Sequence, residues 1–252
     1  MKILQIRNAT LLVHYGGKKI LVDPFLANKG VFPAFPHTPN QDVNNPTVDL
    51  PPSIDLNEIL NVDAVIITHL HPDHFDSKAK ELLRKDILIF AQPGDVEAIR
   101  EDGFTNVQGV PDSLMWEELT ISRTSGRHGV GEIGALMGEV SGFVFHSNLD
   151  KPLYMAGDTI WCEEVSQAIE RYQPGVMVVN GGAAQFLEGP ITMTKEDIVE
   201  TSKVMGSGLV LVSHMEALNH CLLSREELSN YLLKMEMNKN IFILEDGEMV
   251  VA

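Results

Sequence analysis

The sequence predicts a layered α+β fold, in which two β-sheets are covered by helices, and three observations lead to it. The 252 residues are 44% hydrophobic and 21% charged, which is typical of a globular protein with a large core. Strand-like segments follow one another near the start, whereas strand-like and helix-like segments alternate later. No linker or low-complexity tract interrupts the chain, so we expect residues 1–252 to form a single domain.

The first part of the chain predicts an antiparallel meander that leads into a long loop. Apolar residues recur near period two in KILQIRNATLLVHY, and the turn GGKK separates this segment from a further strand in ILVDPF. Residues 28–53 carry six prolines and show no period, so we expect an irregular loop inserted in the domain. Long loops of this kind are often functional rims. A short helix in DLNEIL should then begin at a capping residue, either Ser53 or Asp55.

The rest of the chain predicts strands and helices in alternation, followed by a hairpin. The predicted strands are VDAVIITH, DILIFAQ, TNVQGV, ELTISRTSGRHG, GEVSGFVFHS, PLYMAGD, PGVMVVNGG and GLVLVSH. The predicted helices are DSKAKELLRK, which begins at Asp76 or Ser77, then GDVEAIREDG, TIWCEEVSQAIERY, TKEDIVETSKVMG and SREELSNYLLKMEM. The final segment, NIFILEDGEMVVA, predicts a closing hairpin around EDG.

Charge and composition exclude several classes of function. A formal net charge of −16 opposes binding to nucleic acid, which requires Lys and Arg to displace counterions from phosphates. The same charge disfavours anionic membrane surfaces, and no apolar run is long enough to span a bilayer. Two cysteines make no disulfide framework, so we expect a cytoplasmic protein. The sequence leaves open whether it forms a homo-oligomer.

Potential metal ligands follow the ends of four apolar strands. Strand ends in layered α/β folds converge on a common crevice, so side chains far apart in sequence can meet there. The residues concerned are His69, His71, Asp73, His74, His128, Asp158 and His214.

The spacing within THLHPDHFD predicts two metal sites. In extended backbone, residues two apart point the same way, so His69 and His71 can hold one ion together. Pro72 then turns the chain, and Asp73 and His74 can face a second ion.

The three distant residues would complete both sites. His128 would give the first ion a third histidine, and three protein nitrogens plus a water form a common catalytic zinc site. His214 would join the second ion, and the two carboxylate oxygens of Asp158 could bridge both ions. The competing interpretations are a solvated turn for the histidine-rich stretch and a helix cap for Asp158.

These motifs resemble a known family. THLHPDHFD matches the H-x-H-x-D-H signature of the metallo-β-lactamase superfamily, and RHG, AGDT and SH follow in the order of its remaining ligands. The resemblance covers nearly the whole chain and implies a four-layer αβ/βα sandwich of two mixed sheets with metals between them. VSGFVF, YMAGDT and HMEALNH are similar to the lactonase-like branch related to L-ascorbate 6-phosphate lactonase.

The resemblance implies a zinc-dependent hydrolase with two Zn²⁺ per chain, with Mn²⁺ as the alternative metal. A metal-bound hydroxide would open a small ester or lactone, for example the lactone of a phosphorylated sugar acid. Asp73 could also act in catalysis by orienting the nucleophile or carrying its proton. Three alternatives stay open: a mononuclear iron sulfur dioxygenase of the same fold, a phosphodiesterase, and a non-catalytic metal-binding member.

Four further residues are candidates for the substrate pocket. His220 follows His214 by six residues and could be catalytic or bind substrate, and Glu216 and Asn219 lie between them. Arg127 could bind an anionic substrate, because a guanidinium holds phosphate or carboxylate through two hydrogen bonds. The competing interpretation for all four is an ordinary structural or surface role.

Overall fold

The computed structural model describes residues 1–187 and 189–252. Its strands, in chain order, are β1 (Lys2–Arg7), β2 (Thr10–Tyr15), β3 (Lys18–Val22), β4 (Ala64–Ile67), β5 (Leu88–Ala91), β6 (Val107–Gly109), β7 (Ser113–Trp116), β8 (Leu119–Ser125), β9 (Ser141–His146), β10 (Leu153–Met155), β11 (Val176–Asn180), β12 (Gln185–Phe186), β13 (Gly189–Pro190), β14 (Leu209–Ser213), β15 (Ile241–Ile243) and β16 (Met249–Val251). Its α-helices are α1 (Leu56–Leu60), α2 (Ser77–Leu82), α3 (Val96–Glu101), α4 (Gly131–Met137), α5 (Glu163–Tyr172), α6 (Lys195–Met205) and α7 (Arg225–Lys234).

Two seven-stranded mixed sheets form the centre of the molecule. The first has the order β16-β1-β2-β3-β4-β5-β6, antiparallel up to β3 and parallel from β3 to β6. The second has the order β15-β14-β11-β10-β9-β8-β7, parallel up to β10 and antiparallel beyond it. Their inner faces share one core, in which Val13 and Ile66 of the first sheet cluster with Phe143 and Val178 of the second.

Helices cover the outer face of each sheet. Ile59 of α1, Ala79 of α2 and Ile99 of α3 pack into a second apolar cluster on the first sheet. On the second sheet, Ile198 of α6 and Leu228 of α7 belong to a third cluster, together with residues of α5. These six helices bury apolar side chains against a sheet, which is how such layers are stabilised. The predicted αβ/βα sandwich is therefore confirmed.

Most of the predicted elements are present. The opening meander is β1 to β3, and α1 and α2 begin at aspartates rather than serines. The Asp55 side chain accepts a hydrogen bond from the Asn57 amide, and the Asp76 side chain accepts one from the Ala79 amide at 2.7 Å. Residues 28–53 contain no helix or strand among the described residues, as their composition predicted.

The predicted closing hairpin is wrong. A turn does form, with the Glu248 amide bonded to the Glu245 carbonyl at 2.9 Å, but the strands on either side pair with different sheets. β15 lies parallel to β14 in the second sheet, and β16 lies antiparallel to β1 in the first. A turn motif predicts only that the chain reverses its direction locally. Which strand each flanking strand pairs with depends on distant parts of the chain.

Other elements gave no clear sequence signal. They are β7, the two-residue strands β12 and β13, and α4. Two of the seven residues of α4 are glycines, which have low helix propensity, and none of its residues is buried. No helix of the described chain has the length and apolar character that crossing a membrane requires.

Candidate metal centre

A first group of histidines lies where β4 and β8 end. His69, His71 and His128 each offer a ring nitrogen, and these nitrogens lie within 4.8 Å of one another. Nε2 of His128 is 3.3 Å from Nδ1 of His71. Nδ1 of His128 donates to the Ile191 carbonyl at 2.7 Å, which leaves its Nε2 with a lone pair that faces the group.

A second group lies beside the first, between the two sheets. It consists of Asp73, His74, Asp158 and His214, whose potential ligand atoms also fall within 4.8 Å of one another. Oδ2 of Asp73 is 3.2 Å from Nε2 of His214, and Oδ2 of Asp158 is 3.2 Å from Nε2 of His74. The same Asp158 oxygen is 3.5 Å from Nε2 of His128, so this carboxylate lies between the two groups.

Asp23 organises the floor of the second group through hydrogen bonds. Its Oδ2 accepts from Nδ1 of His74 at 2.9 Å and from the Thr68 hydroxyl at 2.7 Å. Its Oδ1 accepts from the Thr68 amide at 2.8 Å. With Nδ1 engaged as a donor, Nε2 of His74 is the ring nitrogen available for a cation.

Two asparagines that sequence reasoning missed hold the two carboxylates. The Asn180 amide donates to Oδ1 of Asp158 at 2.6 Å, and the Asn8 amide donates to the backbone carbonyl of Asp73 at 3.0 Å. Asn180 ends an apolar strand, which is the same signal that identified the predicted ligands. Asn8 lies in a turn, where the chain offers no such signal.

The charges of the two groups differ. Burial lowers the pKa of His128 to about 4, so its ring is neutral at neutral pH. Burial alone would also lower the pKa of His74, but the carboxylates of Asp158 and Asp73 outweigh it and raise this pKa well above 6.5. Burial would raise the pKa of Asp158, but the imidazoles of His214 and His74 outweigh it and hold the group ionised.

The residues present suit two divalent cations. Nε2 of His69 and Nε2 of His74 are buried without a hydrogen-bond partner in the described structure, although a buried ring nitrogen normally has one. A mixture of imidazole and carboxylate ligands suits Zn²⁺, Mn²⁺ or Fe²⁺.

A small pocket opens above these ligands. It has a volume of about 150 Å³. Its floor is polar, its walls are largely apolar, and no Lys or Arg is found among its described lining residues. These are Phe35, Pro36, Thr38, His71, Pro72, Asp73, His128, Met137, Asp158, Phe186, Ile191 and His220.

The structure brings His220 into the pocket but not Asn219. The His220 ring is 6% exposed, and burial lowers its pKa to about 4. Asn219 is not among the described lining residues, and its side chain bonds to the lining residue Thr38 and to Asn45, at 2.8 Å in each case.

Glu216 and Arg127 also lie outside the pocket lining, because other side chains engage them. Glu216 accepts hydrogen bonds from the backbone amide and the guanidinium of Arg225. Arg127 pairs with Glu164 at 2.9 Å, and its side chain is half exposed. Neither residue is among the described residues that line the pocket.

The molecule has two mixed sheets between helical layers, and histidines and aspartates lie at strand ends between the sheets. This arrangement defines a metallo-β-lactamase-type fold. Residues 18–215 match the family model described as a β-lactamase superfamily domain. UPF0173 protein YddR of Bacillus subtilis is 47% identical over 251 residues, 98% of each chain. The chain thus belongs to the β-lactamase superfamily and, within it, to the UPF0173 family of metal-dependent hydrolases. The superfamily predicted from THLHPDHFD is confirmed.

Two further relatives extend the comparison. A UPF0173 metal-dependent hydrolase of Herpetosiphon aurantiacus is 24% identical over 246 residues, 94% of this chain and 92% of that protein. The crystal structure of an isothiocyanate hydrolase from Delia radicum gut bacteria is 40% identical, with a TM-score of 0.96. That superposition covers 100% of this chain and 99% of the other.

Proposed function

We propose that this protein hydrolyses small, uncharged electrophiles that carry an apolar group, and that an isothiocyanate is the foremost candidate. The observation that carries the proposal is the pocket, which has candidate metal ligands at its floor and apolar side chains such as Phe35 and Phe186 at its walls. An isothiocyanate, R–N=C=S, joins a compact electrophilic carbon through nitrogen to an apolar group R. The electrophilic carbon suits the polar floor of the pocket, and the apolar group suits its walls.

The relative that is named an isothiocyanate hydrolase supports the proposal, because it is similar along the whole chain. The lactone of a phosphorylated sugar acid has less support. A phosphate requires cations, and the described lining contains no Lys or Arg. An unphosphorylated ester or lactone would fit the same pocket and is the second candidate.

We assign one divalent ion to His69, His71 and His128, and a second to Asp73, His74, Asp158 and His214. Zn²⁺ is the proposed metal and Mn²⁺ the alternative. When bound, such ions supply a water of lowered pKa and polarise the electrophile. In the overall reaction, the water oxygen bonds to the central carbon, the carbon–nitrogen bond breaks, and both water protons pass to nitrogen, so that R–NCS plus H₂O gives R–NH₂ plus COS.

The roles of the chain's own residues follow from their surroundings. Burial would raise the pKa of Asp73, but the imidazoles of His74 and His214 lower it below its ordinary value. Asp73 is therefore ionised, and its carboxylate can accept a hydrogen bond from the attacking water and orient it. We propose that His220 carries the proton to the leaving nitrogen. Burial lowers the pKa of His220 to about 4, so its ring is neutral and can take up the proton that it passes on.

Purified metal-loaded protein tests the proposal against a panel of allyl isothiocyanate, benzyl isothiocyanate, γ-butyrolactone, a thioester and a phosphodiester. We expect loss of isothiocyanate absorbance, with one equivalent of primary amine released and about two Zn per chain by elemental analysis. If the protein hydrolyses only the lactone, the proposed substrate becomes an unphosphorylated ester or lactone, which is the second candidate. One Fe per chain together with oxygen uptake on a persulfide would identify a sulfur dioxygenase and overturn the proposal.

A further inference from the structure

Residues 28–53, here called the rim loop, supply one wall of the pocket. Hydrogen bonds inside the loop, such as those from Gln41 to the carbonyls of Phe35 and Thr38, fix its shape but not its position over the pocket. Phe35, Pro36 and Thr38 of the rim loop line the pocket. Among the described residues the loop has no helix or strand, and a single bridge pairs Phe32 with Asn45. Contacts with the rest of the protein must therefore hold this wall in place.

The two ends of the rim loop are held by a buried arginine. The Arg7 guanidinium donates to the carbonyls of Phe25 and Ala27 at 2.8 Å each, just before the loop begins. It also donates to the carbonyl of Val48 at 3.1 Å, near the end of the loop. These bonds fix the base of the loop but do not reach its middle, where the pocket wall lies.

Asn219 holds the middle of the rim loop. It is 3% exposed, and its backbone amide donates to Oδ1 of Asn45 while its own Oδ1 accepts from Nδ2 of Asn45, both at 2.8 Å. Its side-chain amide donates to the Thr38 hydroxyl at 2.8 Å and to the Pro39 carbonyl at 2.6 Å. One side chain thus satisfies donors and acceptors from two separate parts of the loop.

Asn219 also connects this wall to the candidate metal centre. It lies five residues after His214 and directly before His220, whose ring packs edge-on against Phe35 with the ring centroids 5.0 Å apart. The Phe35 amide lies 3.4 Å from Oδ1 of Asn219. Any displacement at Asn219 therefore moves the apolar wall relative to the floor of the pocket.

We propose that Asn219 is a positioning residue that fastens the rim loop over the candidate metal centre, so that Phe35 and Thr38 form a fixed wall that selects substrates by the size of their apolar group. This inference rests on the proposed function for its substrates. The fastening itself depends only on the hydrogen bonds described above.

The kinetic test uses metal-loaded full-length protein, with allyl and benzyl isothiocyanate as the small and the bulky substrate. Asn219→Ala should raise KM about tenfold for the substrate that the wild type favours and less for the other, because a released wall no longer contacts the apolar group, and should change kcat by less than about threefold for either. The ratio of kcat/KM between the two substrates should move toward one. Asn44→Ala is the matched control. Asn44 precedes Asn45 in the rim loop, but its side chain is exposed and bonds to the Gly30 carbonyl rather than to Asn219.

The second test measures amide hydrogen exchange, which does not depend on substrate. In Asn219→Ala, exchange should accelerate across residues 31–45 and stay unchanged beside Phe25, Ala27 and Val48, where the arginine still holds the loop. Asn45→Ala removes the two bonds between Asn45 and Asn219 from the loop side but leaves those to Thr38 and Pro39, so it should give a smaller acceleration over the same residues. The effect of the double variant should be less than the sum of the two single variants, because both lose the bond from Nδ2 of Asn45 to Oδ1 of Asn219.

Several results would overturn the inference. They are an unchanged KM and size preference in both single variants, a fall in kcat at constant KM, or exchange that accelerates equally throughout the protein. If Asn219→Ala does not fold, Asn45→Ala decides the question by the same measurements. If the wild-type protein hydrolyses no isothiocyanate, the proposed function fails alone. The exchange experiment still tests the fastening, and a small and a bulky ester or lactone then replace the isothiocyanates.

Discussion

Replacing Asp23 by Asn tests the hydrogen bonds that support the candidate metal centre. The carboxylate is 1% exposed and accepts three hydrogen bonds, two from Thr68 and one from His74. An amide of the same shape can accept at its oxygen only, so its NH₂ group must face at least one donor. Asp23 has a φ of 42°, a left-handed conformation that Asn tolerates well, so the backbone should stay in place.

The expected size of the effect follows from these contacts. A hydrogen bond to a charged group contributes about 1.5–3 kcal/mol, and a change of 1.4 kcal/mol in binding free energy is about tenfold in affinity. Changes to a residue that orients a metal ligand typically lower metal affinity about 10- to 100-fold. Because Asp23 contacts His74 but no histidine of the first group, the loss should fall mainly on the second ion.

The assay is competition for Zn²⁺ between the metal-free protein and a chromophoric chelator, which yields a dissociation constant for each ion. Asp63→Asn is the matched control, because Asp63 is an exposed aspartate that also accepts a backbone amide, that of Lys19, at 2.7 Å. Equal affinities of the Asp23→Asn variant and the wild type for both ions, with thermal unfolding unchanged, would refute the reasoning. An equal loss at both ions would refute the assignment of Asp23 to the second group.

Three further predictions follow from the site. His71→Ala removes one of three nitrogens from the first group, so elemental analysis should show about one ion fewer per chain and no turnover, while His146→Ala keeps both; full metal content in His71→Ala would contradict the assignment. The pKa values of His74 and His214 lie well above 6.5, so a cation that binds the second group must displace a proton from each ring. The logarithm of the cation's affinity should therefore rise with pH, with a slope approaching about two between about pH 6 and 7. An affinity that does not change with pH would contradict this displacement. Glu216→Gln should lower the free energy of unfolding by about 1 kcal/mol through its lost pairing with Arg225 and leave kcat/KM unchanged, whereas a tenfold fall in kcat/KM would put Glu216 in the substrate site.

Local patterns in the sequence predicted most of the fold, because period and capping act over a few residues. The alternation in the opening strands could be read directly, and the cap of α1 and that of α2 could each be narrowed to one aspartate or one serine. The pairing of β15 and β16 could not, since the segment NIFILEDGEMVVA has the same turn residues whether its two strands pair together or diverge. Only the positions of β14 and β1, far away in the chain, decide between the two.

The candidate site, like the fold, was predicted only in part from the sequence. The sequence by itself determined which side chains could hold metal, because His69, His71, Asp73 and His74 share one short stretch with a spacing that suits two ions. Only the tertiary structure decided what surrounds them. The sequence suggested Asn219 as a substrate contact beside His220. Its side chain in fact bonds to Thr38 and Asn45 of the rim loop, which are more than 170 residues away in the chain. No local sequence pattern predicts hydrogen bonds over that separation.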